Sequence, residues 1–195
     1  MSDTEEPAVS ARQEGIVAAA TAVFLRFGLR KTTMDDIARE AGISRQGLYL
    51  HFASKDAVFR RVVEDMLSGM RDSVRHALER DDLPVADRLA EACEAFHGLT
   101  VGKVELRQFS ELLQAADAFA GPRMSGMERE FVADMAQLLG RTGHAAIWEK
   151  DGISATDLAE HLFAASAGAK YESATVEIYR ARVRVATRVV TRGTD

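Results

Sequence analysis

The chain has 195 residues, 47% of them hydrophobic and 28% charged, with a formal net charge of −5 and one cysteine, Cys93. That length suffices for one large domain or two small ones around a real core, and a lone cysteine excludes an intrachain disulfide and suits a reducing compartment. The start, MSDTEEPAVS, lacks a basic region followed by an apolar run, and no segment reaches about 18 consecutive apolar residues, so neither a signal peptide nor a membrane span is expected and the protein reads as cytoplasmic.

Residues 1–9 are expected to form a disordered acidic tail. Beyond them an apolar period of 3.6 recurs and strict alternation does not, which predicts an all-α protein of about nine helices. Ser10 with Gln13 forms a capping box ahead of Ile16, Val17, Ala20, Val23, Phe24 and Phe27, and Gly28 ends this first helix. Thr33 with Asp36 opens a second of barely two turns, edged by Ile37, Ala38 and Ala41 and stopped by Gly42. Ser44 caps a third with Leu48 and Phe52 inward. Ser54 caps a long fourth bearing Val58, Val62, Met66, Met70, Val74 and Leu78, broken at Asp82-Leu83-Pro84.

Leu89, Cys93, Phe96 and Leu99 mark a fifth helix, and Val104, Phe109, Leu112 and Leu113 a sixth. Gly121-Pro122 separates it from a seventh carrying Met124, Met127, Phe131, Met135 and Leu138. Gly140 to Gly152 reads as loop apart from Ala145 to Trp148. Ser154 with Asp157 caps an eighth helix, and Thr175 opens a ninth through Val190. The expected organisation is a three-helix head over residues 10–55 and a larger helical body over 56–195, for ligand binding and dimerisation.

Residues 10–60 carry eight Lys/Arg against five Asp/Glu, so a positive head sits on an acidic chain, as suits a head that alone touches phosphate. The second and third helices, joined by a turn of about four residues centred on Gly42, form a helix-turn-helix. With Ile37, Ala38, Ile43, Leu48 and Phe52 turned inward, Arg45, Gln46, Gly47, Tyr49 and His51 face outward. The second helix of such a unit enters the major groove. Arg45 can bond guanine and Gln46 adenine in bidentate fashion, while Tyr49, His51 and Lys55 can grip phosphate and set register. Gly47 is expected where the DNA approaches most closely. Thr33, Ser44 and Ser54 are caps first, and each helix start is also a phosphate site. Asp35 and Asp36 read as first-turn caps directed away from phosphate.

The segment Thr32 to Ser44 (TTMDDIAREAGIS), followed by Leu48 to Phe52 (LYLHF) and Ser54-Lys55-Asp56, resembles the signature of the TetR family of bacterial transcriptional regulators. The match covers about residues 10 to 60; the rest resembles the family only in length and helical character. It implies a homodimeric repressor on a double-stranded DNA operator, released when a small molecule fills the C-terminal domain, and it places Tyr49, His51 and Lys55 at positions used on the DNA backbone. Gln46-Gly47 departs from the pair, such as Gly-Thr, that many members place before Leu-Tyr.

Cys93 and His97, four apart, read as a core cysteine beside a partly buried histidine rather than a metal or catalytic pair, and no cofactor motif or metal site is found. Phe96, Phe109, Met124, Met127, Phe131, Met135 and Trp148 read as core or as the lining of an adaptable effector pocket, with His97 and His144 as polar anchors. The last two helices expose more apolar surface than a terminal pair needs: Leu158, Leu162, Phe163, Ala165 and Ala169 on one, Ile178, Tyr179, Val183, Ala186 and Val190 on the other. The resemblance makes them a four-helix dimer interface, flanked by Arg180, Arg182, Arg184, Arg188 and Arg192. The expectation is a DNA-binding regulator of transcription, not an enzyme, sensing an apolar or amphipathic effector, with a helical small-molecule-modifying enzyme or a protein-binding adaptor as rivals.

Overall fold

The computed structural model describes residues 5–102 and 107–192, with side chains described over 11–102 and 110–192. Among the described residues the secondary structure is helical, with no strand: α1 (Glu5–Phe27), α2 (Met34–Glu40), α3 (Arg45–His51), α4 (Lys55–Glu79), α5 (Val85–His97), α6 (Arg107–Arg141), α7 (Ala146–Glu149), α8 (Ala155–Glu172) and α9 (Val176–Val190), with a 3-10 turn at Gly98–Thr100. None of the described helices is long and apolar enough to cross a membrane.

α1 begins ahead of its expected cap. Residues 5–9, assigned to a disordered tail, are helical, and Ser10 lies inside the helix. Pro7 is tolerated in a first turn because N–H groups there have no intrahelical acceptor. The remaining caps form as expected. Thr33 N donates to Asp36 Oδ2 at 3.0 Å while Asp36 N donates to Thr33 Oγ1 at 3.2 Å, and Ser154 and Asp157 make the same exchange at the start of α8. Ser44, Ser54 and Thr175 accept from the backbone N–H of Gly47, Ala57 and Ile178.

The larger difference is α6. Gly121-Pro122, expected to separate a sixth helix from a seventh, lies inside one helix of 35 residues. The proline removes the N–H that would have bonded the Ala118 carbonyl and crowds that oxygen, but Ala-rich sequence before it and Met, Glu and Arg after it are strong helix formers that carry the helix through. The chain divides into two compact units, Met1–Leu67 with Leu106–Gly121, and Ser68–Glu105 with Pro122–Asp195. The head expected to end at residue 55 thus gains the first halves of α4 and α6, and the division in α6 falls between Gly121 and Pro122.

The first unit buries Ile16, Val17, Ala20, Val23 and Phe24 of α1 with Ile37, Ala38, Leu48, Phe52 and Val58. Phe24 meets Phe59 edge to face at 5.5 Å. Phe27, expected on the inner stripe, is exposed, as is Met66 of α4, where Val63 and Leu67 take the buried positions. In the second unit α5, α8 and α9 pack on one another. Arg88, almost fully buried, donates Nε to the Leu78 carbonyl at 3.0 Å and pairs with Asp81 at 3.0 Å, so a cation closes the C-terminus of α4, where the helix dipole favours it.

Candidate functional site

The turn between α2 and α3 is a Schellman motif. Gly42, at φ +65°, lets Ile43 N reach the Ala38 carbonyl at 3.0 Å and Gly42 N reach that of Arg39 at 3.2 Å. The motif fixes the direction in which α3 leaves. Leu48 (0% exposed) and Phe52 (8%) then face the core, while Arg45, Gln46, Tyr49 and Leu50 face solvent and His51 is half-buried. Leu50, to which the sequence pattern assigns no role, is 82% exposed. An apolar residue in that position on an otherwise polar helix face was the signal that could have found it.

Arg45 has two neighbours. Its Nη1 lies 3.2 Å from Asp35 Oδ2, and its guanidinium stands 5.7 Å over the Tyr49 ring. Asp35 is therefore a brace for Arg45 rather than a cap; Asp36 alone fills the capping role, and its carboxyl is held below the usual range by hydrogen bonds from the Thr33 side chain and backbone. These carboxylates also separate the helix starts. α2 has Asp35 and Asp36 in its first turn and α4 has Asp56, whereas α3 has no acidic residue there. Of the three, α3 offers the electrostatics of an anion site.

Local geometry bears on three of the expected DNA-contact residues. Lys55 Nζ donates to the carbonyls of Leu29 at 2.8 Å and Thr32 at 2.9 Å, tying the α1–α2 loop to the start of α4; two of its three donors are spent inside the head. A Cβ at Gly47 would lie 3.2 Å from the capping Ser44 Oγ, which would have to give by a few tenths of an ångström. Thr33 Oγ1 donates to Asp36 Oδ2 at 2.6 Å and accepts from Asp36 N, so its hydroxyl is occupied by the capping box.

In the second unit a cavity of about 370 Å³ is lined by Arg71, Val74 and Arg75 of α4, Phe96 of α5, and Met127, Glu130, Phe131, Ala133 and Asp134 of α6. Phe96, Met127 and Phe131 of the expected pocket are thus brought together. Met135 is fully buried core. His144 is buried near Thr142, and Trp148 donates Nε1 to the Val190 carbonyl at 3.0 Å, so neither lines this cavity. Met124 is half-buried outside it, and the side chain of Phe109 lies outside the described residues. The charged lining was missed because Arg71/Arg75 and Glu130/Asp134, each spaced i,i+4, look like ordinary solvated helix edges.

Behind the cavity wall, Phe96 and Phe131 stack at 4.9 Å with 12° between planes, and Phe163 and His97 pack against Phe96 at 5.8 and 5.0 Å. His97 Nδ1 lies 2.8 Å from Ser166 Oγ, Ser166 Oγ lies 2.6 Å from Tyr179 Oη, and Tyr179 donates to the Cys93 carbonyl at 2.8 Å. Burial pulls the His97 imidazole down to about 3 and pushes the Cys93 thiol up to about 12. The thiol is thereby kept protonated and unreactive.

Most residues of the expected dimer face are turned inward. Leu158, Leu162, Ala169, Tyr179, Val183 and Val190 are buried within the chain, Phe163, Ala165 and Ala186 are half-buried, and only Ile178 of the set is exposed. The strongest apolar stripe of each helix faces its own core. A second, weaker stripe lies outside: Ala164, Gly168 and Tyr171 on α8, and Ile178, Ala181, Val185 and Val189 on α9. Among the flanking arginines, Arg180 pairs with Glu94 at 2.5 Å and Arg182 with Glu172.

Residues 16–62 match the family described as bacterial regulatory proteins, tetR family. Over 97 residues, 50% of this chain and 44% of the other, the sequence is 37% identical to the HTH-type transcriptional repressor KstR2 of Mycobacterium tuberculosis. Over 89 residues, 44% of this chain and 38% of the other, it is 37% identical to the HTH-type transcriptional activator FasR of Mycolicibacterium smegmatis. A solved TetR-like transcriptional regulator from Rhodococcus sp. RHA1 matches with a TM-score of 0.61 at 25% identity, covering 93% of this chain and 97% of that one. The chain spans less than half the length of the curated relatives it matches.

Proposed function

We propose that the chain, whose residues 16–62 match the tetR family of bacterial regulatory proteins, is a homodimeric repressor of that family whose head binds a near-palindromic operator and whose second unit senses a small molecule. The observation that carries the DNA-binding reading is the outward face of α3: Arg45, Gln46, Tyr49 and Leu50 exposed together, on a helix whose start bears no carboxylate. In the major groove Arg45 would read guanine, Gln46 adenine and Leu50 a thymine methyl. Tyr49, His51 and the free N–H groups at the start of α3 would take phosphate.

The outer stripe of α8 and α9 supports pairing with a second copy, which would set the spacing of the two heads. Repression is the reading adopted for the output; KstR2 is a repressor and FasR an activator. An effector can release DNA only by binding the non-operator conformation more tightly, since equal affinity for both states shifts nothing. Selection of bound fragments from random DNA tests the proposal. A two-fold motif with affinity falling steeply with salt supports it; no enrichment at low salt would end it.

A further inference from the structure

We infer that Arg30 and Lys31, in the loop between α1 and α2, grip the backbone phosphates of bound duplex DNA from outside the helix-turn-helix. This rests on the reading of the head as a DNA-binding unit and adds a phosphate site that the α3 face does not contain.

Residues 10–60 carry eight Lys/Arg, and most of them are already engaged. Arg26 pairs with Glu40 at 3.9 Å, Arg39 with Asp36 at 3.5 Å and Arg45 with Asp35 at 3.2 Å. Arg60 stands over the Phe119 ring, and Lys55 donates to two backbone carbonyls. Arg12, by itself on α1, and the adjacent, exposed Arg30 and Lys31 are left without an ion pair or hydrogen bond among the described residues. Two neighbouring cations that no carboxylate neutralises repel each other, and an anion with several oxygens relieves both. An Arg offers parallel N–H donors to such an anion and a Lys a point charge, the combination that suits phosphate.

The loop that carries them is held at both ends. Gly28, at φ +79°, turns the chain out of α1. Thr32, 1% exposed, donates its N–H and its hydroxyl to the Gly28 carbonyl at 3.3 and 2.8 Å. Lys55 Nζ binds the carbonyls of Leu29 and Thr32, the residues on either side of the basic pair. A backbone tied in this way has little freedom left to lose when its side chains meet phosphate. The tie also places the loop, because Lys55 opens α4 just beyond the short link from α3. Arg30 and Lys31 therefore lie at the α3–α4 junction. With the N-terminal residues of α3 on base edges, groups at its other end meet the strand that walls the groove.

The salt dependence of binding to a mixed-sequence duplex of about 30 base pairs tests the contact, since each neutralised phosphate adds about 0.9 to the slope of log affinity against log salt. Arg30→Gln and Lys31→Gln, read by fluorescence anisotropy, should each lower that slope by about one, and the double variant by about two. Mixed-sequence and selected DNA should weaken alike, so the ratio between them is kept. Arg30→Lys, which retains the charge, should retain the slope. Arg129→Gln removes an exposed cation from the second unit and should leave the slope unchanged, which separates a contact from a change in net charge. Both loop positions are exposed, and circular dichroism verifies that the variants fold. A slope unchanged in the double variant, or lowered as much by Arg129→Gln, would overturn the phosphate contact while wild-type binding stands. A wild-type chain that binds neither DNA at low salt would overturn the DNA-binding reading of the head, and this contact with it.

Discussion

At the scale of single residues, Arg45 carries the most information because two groups already hold it. A guanidinium fixed by Asp35 and Tyr49 loses less freedom on meeting a base, but Asp35 also places a negative charge beside incoming phosphate. Asp35→Asn is therefore expected to raise affinity for random DNA several-fold at low salt and to narrow the gap between operator and random sequence. Titrations of both DNAs would show it; a widened gap would mean that Asp35 does not orient Arg45. Lys55 provides the complementary case. With two donors on the Leu29 and Thr32 carbonyls, its removal leaves two acceptors without their charged partner, at about 1–3 kcal/mol. Lys55→Met should lower the melting temperature and leave the dependence of affinity on salt unchanged, whereas loss of a phosphate contact reduces that slope by about one.

At the scale of elements, two glycines separate backbone preference from packing. Gly42 and Gly102 both have positive φ, +65° and +67°, but a Cβ at Gly42 meets nothing within 4 Å, whereas one at Gly102 lies 2.4 Å from the Ala174 carbonyl oxygen. Gly42→Ala should destabilise by about 1–2 kcal/mol, the left-handed penalty alone. Gly102→Ala should lose clearly more in chemical denaturation, and equal losses would contradict the tight seating of this loop on the α8–α9 turn. The elements themselves were legible in the sequence wherever a local signal marks an end. Thr33, Ser44, Ser54, Ser154 and Thr175 all cap as their side chains suggest, and Gly28 and Gly42 stop helices. Gly121-Pro122 misled because a breaker acts on one hydrogen bond, while the helix around it is sustained by about 14 residues on one side and 19 on the other. The α3 face was readable because a seven-residue helix has few ways to bury Leu48 and Phe52. Of the cavity, Phe96, Met127 and Phe131 were readable as apolar lining, while its charged residues were not, since they look like solvated helix edges.

At the scale of the whole molecule, the question is which apolar surface faces another copy. Periodicity finds the stripe with the most hydrophobic residues, and on α8 and α9 that stripe is internal. Val183 and Val185 on α9 mark the contrast: the first is 2% exposed and the second 65%. Val185→Glu should give a folded chain with native helicity that sediments as a monomer and loses operator affinity. Val183→Glu buries an unpaired carboxylate and should unfold the second unit. A dimer unaffected by Val185→Glu would place the interface elsewhere.

The buried row of hydroxyls between α5, α8 and α9 has a further consequence: with Tyr179 donating to the Cys93 carbonyl, its protons run in one order. Tyr179 has a single hydrogen and gives it to the Cys93 carbonyl, so the short contact with Ser166 takes the hydrogen of Ser166. Ser166 then has none left for His97, and the hydrogen between them must sit on Nδ1. His97 is thereby set as the Nδ1–H tautomer, with no hydrogen on Nε2, by a backbone carbonyl one turn back on its own helix. Nitrogen-15 chemical shifts of the imidazole report this directly: Tyr179→Phe should release the order and mix the tautomers, and a wild-type signal from the Nε2–H form would mean that the Tyr179 hydrogen points elsewhere.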